Sequence, residues 1–177
     1  MKHFIRLMIL VLFFLASLAG LSAAQQDDAL VKLRLLHSHD FYPVGGQYPL
    51  ALMATVADGF HINSDQPDDS DLIPTRLSME APPGITLERI TYPQPRRHQV
   101  KGENSPWLVW DGQIKFLLVM GIAPEVAPGS HELTLSLFYQ ACDDNLCQMP
   151  ALQEIKFKIE ATPSAQRPTP INRDVFK

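Results

Sequence analysis

The sequence predicts an all-β protein, an antiparallel β-sandwich, from three observations. Apolar and polar residues alternate along residues 114–120, 132–140 and 154–160, as they do in strands with one buried face. Beyond residue 24, no stretch shows a convincing amphipathic helical pattern. All 15 prolines follow residue 40, and turn sequences divide the chain into short segments. Seven or eight short strands in a chain of this length are typical of a sandwich.

Four weaker strand candidates precede the three clear ones. They span residues 31–37, 50–57, 76–80 and 85–92. In the clearest segment, Leu133, Leu135 and Leu137 alternate with polar residues, which predicts that the leucines face the core. Turn signals separate the candidate strands at residues 44–46, 57–59, 82–84, 110–112 and 128–130. The inward faces of these strands supply enough apolar surface for a single domain.

The chain is predicted to divide into three parts. Residues 1–24 combine a basic start, an apolar run of about 15 residues and the small residues Ser22-Ala23-Ala24, which is the pattern of a secretory signal peptide. An uncleaved anchor is the alternative, but a spanning helix needs about 20 apolar residues. We therefore expect a periplasmic protein with no stable membrane insertion after cleavage. Residues 25–161 are predicted to form the sandwich domain, and residues 162–177, which contain three prolines, a flexible tail.

The composition excludes several classes of function. The net charge of -4 argues against nucleic acid as a partner. The two cysteines are too few for a four-cysteine zinc site or a disulfide-rich miniprotein. No Ser-His-Asp arrangement, phosphate-binding glycine loop or HExxH motif supports a hydrolase or a kinase. A metal site at His37 and His39, or calcium at residues 65–71, is a weaker interpretation than an exposed strand end and a solvated loop.

The two cysteines, Cys142 and Cys147, carry the functional question. A strand is predicted to run into Cys142, a polar turn follows, and Cys147 leads towards the next strand, so both sulfur atoms lie at one hairpin end within bonding reach. A structural staple is one interpretation, although so short a ring stabilises a fold by only about 2 kcal/mol. Thiol–disulfide exchange is the other, because a bond at an accessible hairpin end can be attacked in line. The spacing alone leaves both open.

The cysteine hairpin also resembles that of a known family. Residues 139–142 (Tyr-Gln-Ala-Cys), followed by Cys147 and Pro150, are similar to the active-site hairpin of the N-terminal periplasmic domain of the thiol:disulfide interchange protein DsbD. Weaker similarities occur at residues 58–63, 100–103 and 111–116. Together the similar segments extend over most of residues 30–160, and the hairpin is the most specific of them.

This resemblance implies an immunoglobulin-like sandwich that works as a redox shuttle. A membrane electron carrier of the DsbD type would supply electrons through a thioredoxin-like donor, and the domain would pass them to thioredoxin-fold periplasmic proteins. By position, Cys147 matches the cysteine that forms mixed disulfides with partners, and Cys142 matches the one that resolves them. No cofactor is needed, because the electrons travel as dithiols. We expect the chain to act as a stand-alone module with a separate electron donor.

The region that resembles the family's cap loop departs from the family pattern. The family shields its disulfide with an aromatic residue, whereas residues 98–102 contain none. Val100 is therefore the candidate cap, and Trp107 or Trp110 is a candidate substitute. Further candidate contacts of the cap or of a partner are His61, Tyr139 and Gln140.

Charges near the hairpin set the expected reactivity. Asp143 and Asp144 adjoin Cys142 and disfavour its thiolate. An acid near the family's cap has no clear match, because the basic residues 96–98 stand there, and they would counter the aspartates if the cap folds over the hairpin. We expect a cysteine pair that is slow towards small oxidants and fast towards a docked protein. The alternative function is a non-catalytic exported binding or chaperone-like module with a structural disulfide.

Overall fold

The computed structural model describes residues 29–100 and 105–177, and every helix or strand within these ranges is a β-strand. These ranges contain no helix able to span a membrane. The predicted signal peptide, residues 1–24, lies outside the described residues. The strands are β1 (Val31–His37), β2 (Tyr42–Pro43), β3 (Gln47–Val56), β4 (His61–Asn63), β5 (Arg76–Glu80), β6 (Ile85–Thr91), β7 (Arg96–His98), β8 (Trp107–Trp110), β9 (Gln113–Ile122), β10 (Gly129–Tyr139), β11 (Ala141–Cys142) and β12 (Ala151–Thr162).

Two four-stranded sheets contain the long strands. The first has the order β1-β3-β9-β6, and all its pairs are antiparallel. The second has the order β2-β12-β10-β5, and only the short β2 pairs in parallel with its neighbour. The register of β10 against β12 runs from Gly129 opposite Ala161 to Tyr139 opposite Ala151. The predicted immunoglobulin-like β-sandwich is confirmed.

One hydrophobic core fills the sandwich, and side chains from both large sheets contribute to it. Phe116 and Leu118 of β9 are fully buried, as are Leu135 and Leu137 of β10. Along β9 the buried positions recur at every second residue up to Met120, which is the alternation that predicts the strand from sequence. The core therefore rests on the segments with the clearest period of two.

A third, smaller sheet extends from the sandwich and carries the cysteine hairpin. Its strands have the order β11-β4-β8-β7 and pair antiparallel throughout. The chain enters this sheet directly from the second large sheet, because β10 ends at Tyr139 and β11 begins two residues later at Ala141. The rigid ladder of β10 thus fixes the position of Cys142 at the edge of the small sheet.

The seven strands predicted from sequence are all present, with ends that differ by up to three residues. Five further strands were not predicted, namely β2, β4, β7, β8 and β11. Each of these has only two to four residues, so its sequence is too short to display a period. The partners of β2, β4 and β11 lie far away in sequence, so tertiary contacts decide the conformation of these strands.

The C-terminal segment, which the sequence predicts to be a flexible tail, makes backbone hydrogen bonds with the loop after β1. Strand β12 continues to Thr162, and the residues beyond it return to the end of β1. The backbone N–H of Asp40 donates to the carbonyl oxygen of Thr169 at 3.2 Å, and the N–H of Ile171 donates to that of Ser38 at 2.7 Å. The low apolar content of this segment predicts little packing in the core. Backbone hydrogen bonds do not depend on side-chain type, so composition does not predict them.

Candidate functional site at the cysteine hairpin

Cys142 and Cys147 form a disulfide at the edge of the small sheet. Their sulfur atoms lie 2.06 Å apart and their Cα atoms 3.9 Å apart. The two residues also pair as an isolated antiparallel bridge, so the hairpin continues the ladder beyond β11. Cys142 is completely buried, with 0 % of its surface exposed, whereas Cys147 is partly exposed. Of the two cysteines, Cys147 is thus the one with surface towards the solvent.

Hydrogen bonds within the hairpin hold the turn between the cysteines. The Asp143 carboxylate accepts the backbone N–H groups of Asn145 at 2.7 Å and Leu146 at 2.8 Å. These two bonds hold the pKa of Asp143 below its usual value. At the base of the hairpin, the side-chain amide of Gln140 donates to the Gln148 carbonyl oxygen at 3.1 Å. The turn is thus preorganised, and the predicted contact residue Gln140 stabilises it from below.

Strand β4 places His61 directly beside the disulfide. In the antiparallel pair of β11 and β4, Cys142 lies opposite His61. Directly opposite residues in such a pair project on the same face of the sheet, with Cβ atoms about 5 Å apart. Because Cys147 pairs with Cys142 on its other side, the three residues His61, Cys142 and Cys147 form a row across the ladder.

His61 is buried and uncharged at neutral pH. Only 2 % of its surface is exposed. Burial lowers its pKa to about 4, with smaller contributions from the neighbouring His98 ring and Arg96 guanidinium. Its Nε2 atom is buried and has no hydrogen-bond partner among the described residues. A buried polar atom without a partner is uncommon in proteins, and this one belongs to the residue that pairs with Cys142.

Strand β7, which we call the cap strand because it leads into the candidate cap region at residues 98–102, contacts the hairpin through the side chain of His98. The Nε2 atom of His98 donates to the Asp144 carboxylate at 2.9 Å. Arg96 donates to the Asp111 carboxylate from Nε at 2.6 Å, and its Nη1 donates to Nδ1 of His98 at 3.1 Å. The basic segment therefore folds against the hairpin and faces one of its two aspartates. This placement is expected from the sequence if the basic residues 96–98 are to counter the negative charges of Asp143 and Asp144.

The candidate cap residues occupy different places. Val100 is buried at the end of the described cap segment. The Trp107 ring lies edge-on to the His61 ring, with centroids 6.2 Å apart, so this aromatic side chain is close to the disulfide row. Trp110 packs in the core and stacks on Tyr92 at 5.9 Å. Trp110 was therefore wrong as a cap substitute, because its position in β8 directs its ring into the sandwich.

Exposed apolar side chains occur in the cysteine hairpin and in the strands that lead into and out of it. Leu146 precedes Cys147 with 63 % of its surface exposed, and Met149 follows with 86 % exposed. Phe138 and Leu152 lie opposite each other at the adjoining ends of β10 and β12, and both are exposed. We call these four residues the apolar rim. Sequence reasoning missed the rim, although the signal was there: two large apolar residues flank the second cysteine within an otherwise polar turn. Tyr139, in contrast, is buried in the core.

The two metal hypotheses have no support in the described part of the chain, where no group of three potential ligands occurs. His37 instead shares a hydrogen bond with the Tyr42 hydroxyl at 3.0 Å. The ring of His39 shares one with the Ser38 hydroxyl at 2.8 Å. Each of the two histidine rings thus has a hydrogen-bond partner within the protein.

Proteins similar to this chain are found among solved structures. A search of curated proteins finds no match. Among solved structures, the chain is similar to the N-terminal periplasmic domain of ScsB from Proteus mirabilis, with 14 % identity, a TM-score of 0.50, and coverage of 76 % of this chain and 48 % of that one. The chain thus spans about half of that structure. It is also similar to the reduced DsbD N-terminal domain of Neisseria meningitidis, with 13 % identity, a TM-score of 0.49, and coverage of 76 % and 89 %.

These structural similarities concern the fold alone, whereas the comparison with family models identifies the family. The model described as thiol:disulfide interchange protein DsbD, N-terminal, matches residues 28–159. That range includes both cysteines, the cap strand and His61. Because the match covers well over half of the chain, the protein belongs to the family of DsbD N-terminal domains.

Proposed function

We propose that the chain is a periplasmic thiol–disulfide exchange module that accepts electrons from a membrane-linked thioredoxin-like donor and reduces exported partner proteins. The observation that carries this proposal is the unequal exposure of the two cysteines. Cys147 is partly exposed, whereas Cys142 is completely buried. The predicted signal peptide, residues 1–24, would deliver the chain to the compartment where such a disulfide persists.

The exchange reaction follows from this geometry. When the donor reduces the module, a donor thiolate attacks Sγ of Cys147. The bond to Cys142 breaks, and Cys142 leaves as a thiolate. The donor's second thiolate then attacks its own sulfur in the mixed disulfide and releases Cys147 as a thiolate. Two electrons have moved from the donor to the cysteine pair, and the donor has become a disulfide. The same steps in reverse reduce a partner's disulfide.

A measured reduction potential tests the proposed function against the structural alternative. We expect the pair to equilibrate with glutathione or thioredoxin near the thioredoxin potential of about -270 mV. Structural disulfides of secreted proteins lie below about -300 mV. A potential in that lower range would support a non-catalytic module. The fraction of reduced protein at each redox ratio is read by alkylation and mass spectrometry.

The apolar rim is the proposed docking surface for thioredoxin-fold proteins. Replacing Met149 with aspartate places a negative charge where the apolar surface of a partner would pack against the rim. We expect exchange with a thioredoxin-fold protein to slow about tenfold, which corresponds to roughly 1.4 kcal/mol. Reduction by dithiothreitol, which needs no docking surface, should keep its rate. Ile171→Asp, at an exposed apolar residue of the C-terminal segment, is the matched control and should change neither rate. Equal slowing with dithiothreitol would contradict a docking role.

A further inference from the structure

The proposed function leaves one chemical requirement unassigned. When the reduced module has attacked a partner with Cys147, the mixed disulfide is released only if Cys142 attacks Cys147 as a thiolate. Cys142 is completely buried, and burial disfavours a thiolate. Asp143 follows it in the chain, and the nearby negative charge disfavours the thiolate further. A group that removes the proton has to lie within the protein, beside Cys142.

His61 is the titratable group that the ladder places beside Cys142. It lies directly opposite this cysteine in the pair of β4 and β11, on the same face. Its buried Nε2 has no hydrogen-bond partner among residues 29–100 and 105–177, so it is free to accept a proton. An imidazole next to a thiol is the arrangement that generates thiolates in many cysteine enzymes.

The charges around His61 also suit a transient proton. Its ring lies 4.5 Å from the ring of His98, centroid to centroid. The cap strand, the turn after β8 and the hairpin together line a surface cleft of about 410 Å³ at this histidine. Through this cleft a proton can pass to water. The charged and titratable groups that face His61 or line this cleft are Asp58, Arg96, His98, Asp111, Asp143 and Asp144.

We propose that His61 accepts the proton of the Cys142 thiol when the mixed disulfide is resolved. The Cys142 S–H bond breaks, its proton moves to Nε2, and the resulting thiolate attacks Sγ of Cys147. The bond between Cys147 and the partner breaks, and the partner's sulfur leaves as a thiolate that takes up a proton from water. The imidazolium of His61 then returns its proton through the cleft. This inference rests on the proposed function.

The environment of His61 favours this role in the reduced protein. In the disulfide form, burial and the neighbouring His98 and Arg96 side chains hold the pKa of His61 at about 4, so the imidazole is neutral and able to accept a proton. A thiolate at Cys142 adds a negative charge beside the ring. A negative charge beside an imidazole favours the protonated ring, so the thiolate raises the pKa of His61. The proton is therefore held while the thiolate exists and released when the disulfide closes.

The reaction of the reduced chain with dithiobis(nitrobenzoate) isolates the resolving step. Attack by Cys147 releases a first coloured nitrothiobenzoate ion, and attack by Cys142 on the resulting mixed disulfide releases a second. In His61→Gln, we expect the first release to keep its rate and the second to slow about a hundredfold at neutral pH. In alkaline solution the two proteins should converge, because hydroxide then removes the Cys142 proton. His61→Asn, a shorter side chain, should behave as His61→Gln does.

His131→Gln is the matched control, since this histidine lies on β10 and donates to the Ala127 carbonyl oxygen away from the hairpin. It should leave both releases unchanged at every pH. A second release in His61→Gln that equals the wild-type rate throughout would overturn the proposal, as would a deficit that persists in alkaline solution and so reflects a distorted hairpin. A wild-type chain that never gives the second release would instead count against the proposed function itself.

Discussion

Substituting Cys142 with serine is expected to leave Cys147 as a single thiol that captures its partners in stable mixed disulfides. The captured complex persists because no second thiol remains in the hairpin to resolve it. In cells, the complex should appear as a band of higher mass on non-reducing gels and should vanish on reduction. Mass spectrometry of the band then identifies the partner and the linked cysteine.

The mirror substitution, Cys147→Ser, should capture essentially no partner and should abolish exchange. Its remaining thiol, Cys142, has no exposed surface through which a partner's sulfur could approach in line. The two variants lose the same disulfide, which closes a short ring worth only about 2 kcal/mol, so they serve as matched controls for stability. Equal capture by both variants would contradict the unequal roles of the cysteines.

The second large effect concerns the core that supports the hairpin. Phe116→Ala should lower the free energy of unfolding by about 3–5 kcal/mol, because it leaves a cavity where a fully buried ring was. That ring packs edge-on against Tyr92 at 5.7 Å and Trp110 at 5.5 Å, so its removal also loosens two aromatic neighbours. Denaturation by urea, followed by tryptophan fluorescence, measures the loss.

Phe138→Ala is the matched control for this core variant. The same side chain is removed, but Phe138 leaves 36 % of its surface exposed on β10, so we expect a much smaller change of about 1 kcal/mol or less. Equal losses in the two variants would contradict the prediction that the burial of Phe116 sets the cost of its removal.

The long strands could be predicted from sequence because each has one buried face. In β10, Leu133, Leu135 and Leu137 are buried and alternate with more exposed polar residues. This local alternation is enough to predict both the strand and its buried face. Strand β4 gives no such signal, because all three of its residues are buried. Its identity depends on pairing with β8 and β11, which lie about 50 to 80 residues further along the chain.

The candidate site was predictable to a similar extent. The two cysteines and their hairpin follow from local spacing, and the basic cap segment is visible as residues 96–98. The sequence does not show that His61 faces Cys142, since that relation requires the register of β4 against β11. Nor does it show that His98 reaches Asp144, which lies 46 residues away. Long-range register, rather than residue type, decides which polar groups meet at the disulfide.

The small sheet that holds the disulfide gives the molecule two levels of cooperativity. Its strands have only two to four residues, whereas the longest strands of the large sheets have ten to twelve. Short ladders open at a lower free-energy cost than the global unfolding of the domain. Backbone amides of β4, β8 and β11 should therefore exchange with deuterium before those of β9 and β10. We therefore expect the small sheet to open locally while the two large sheets stay closed.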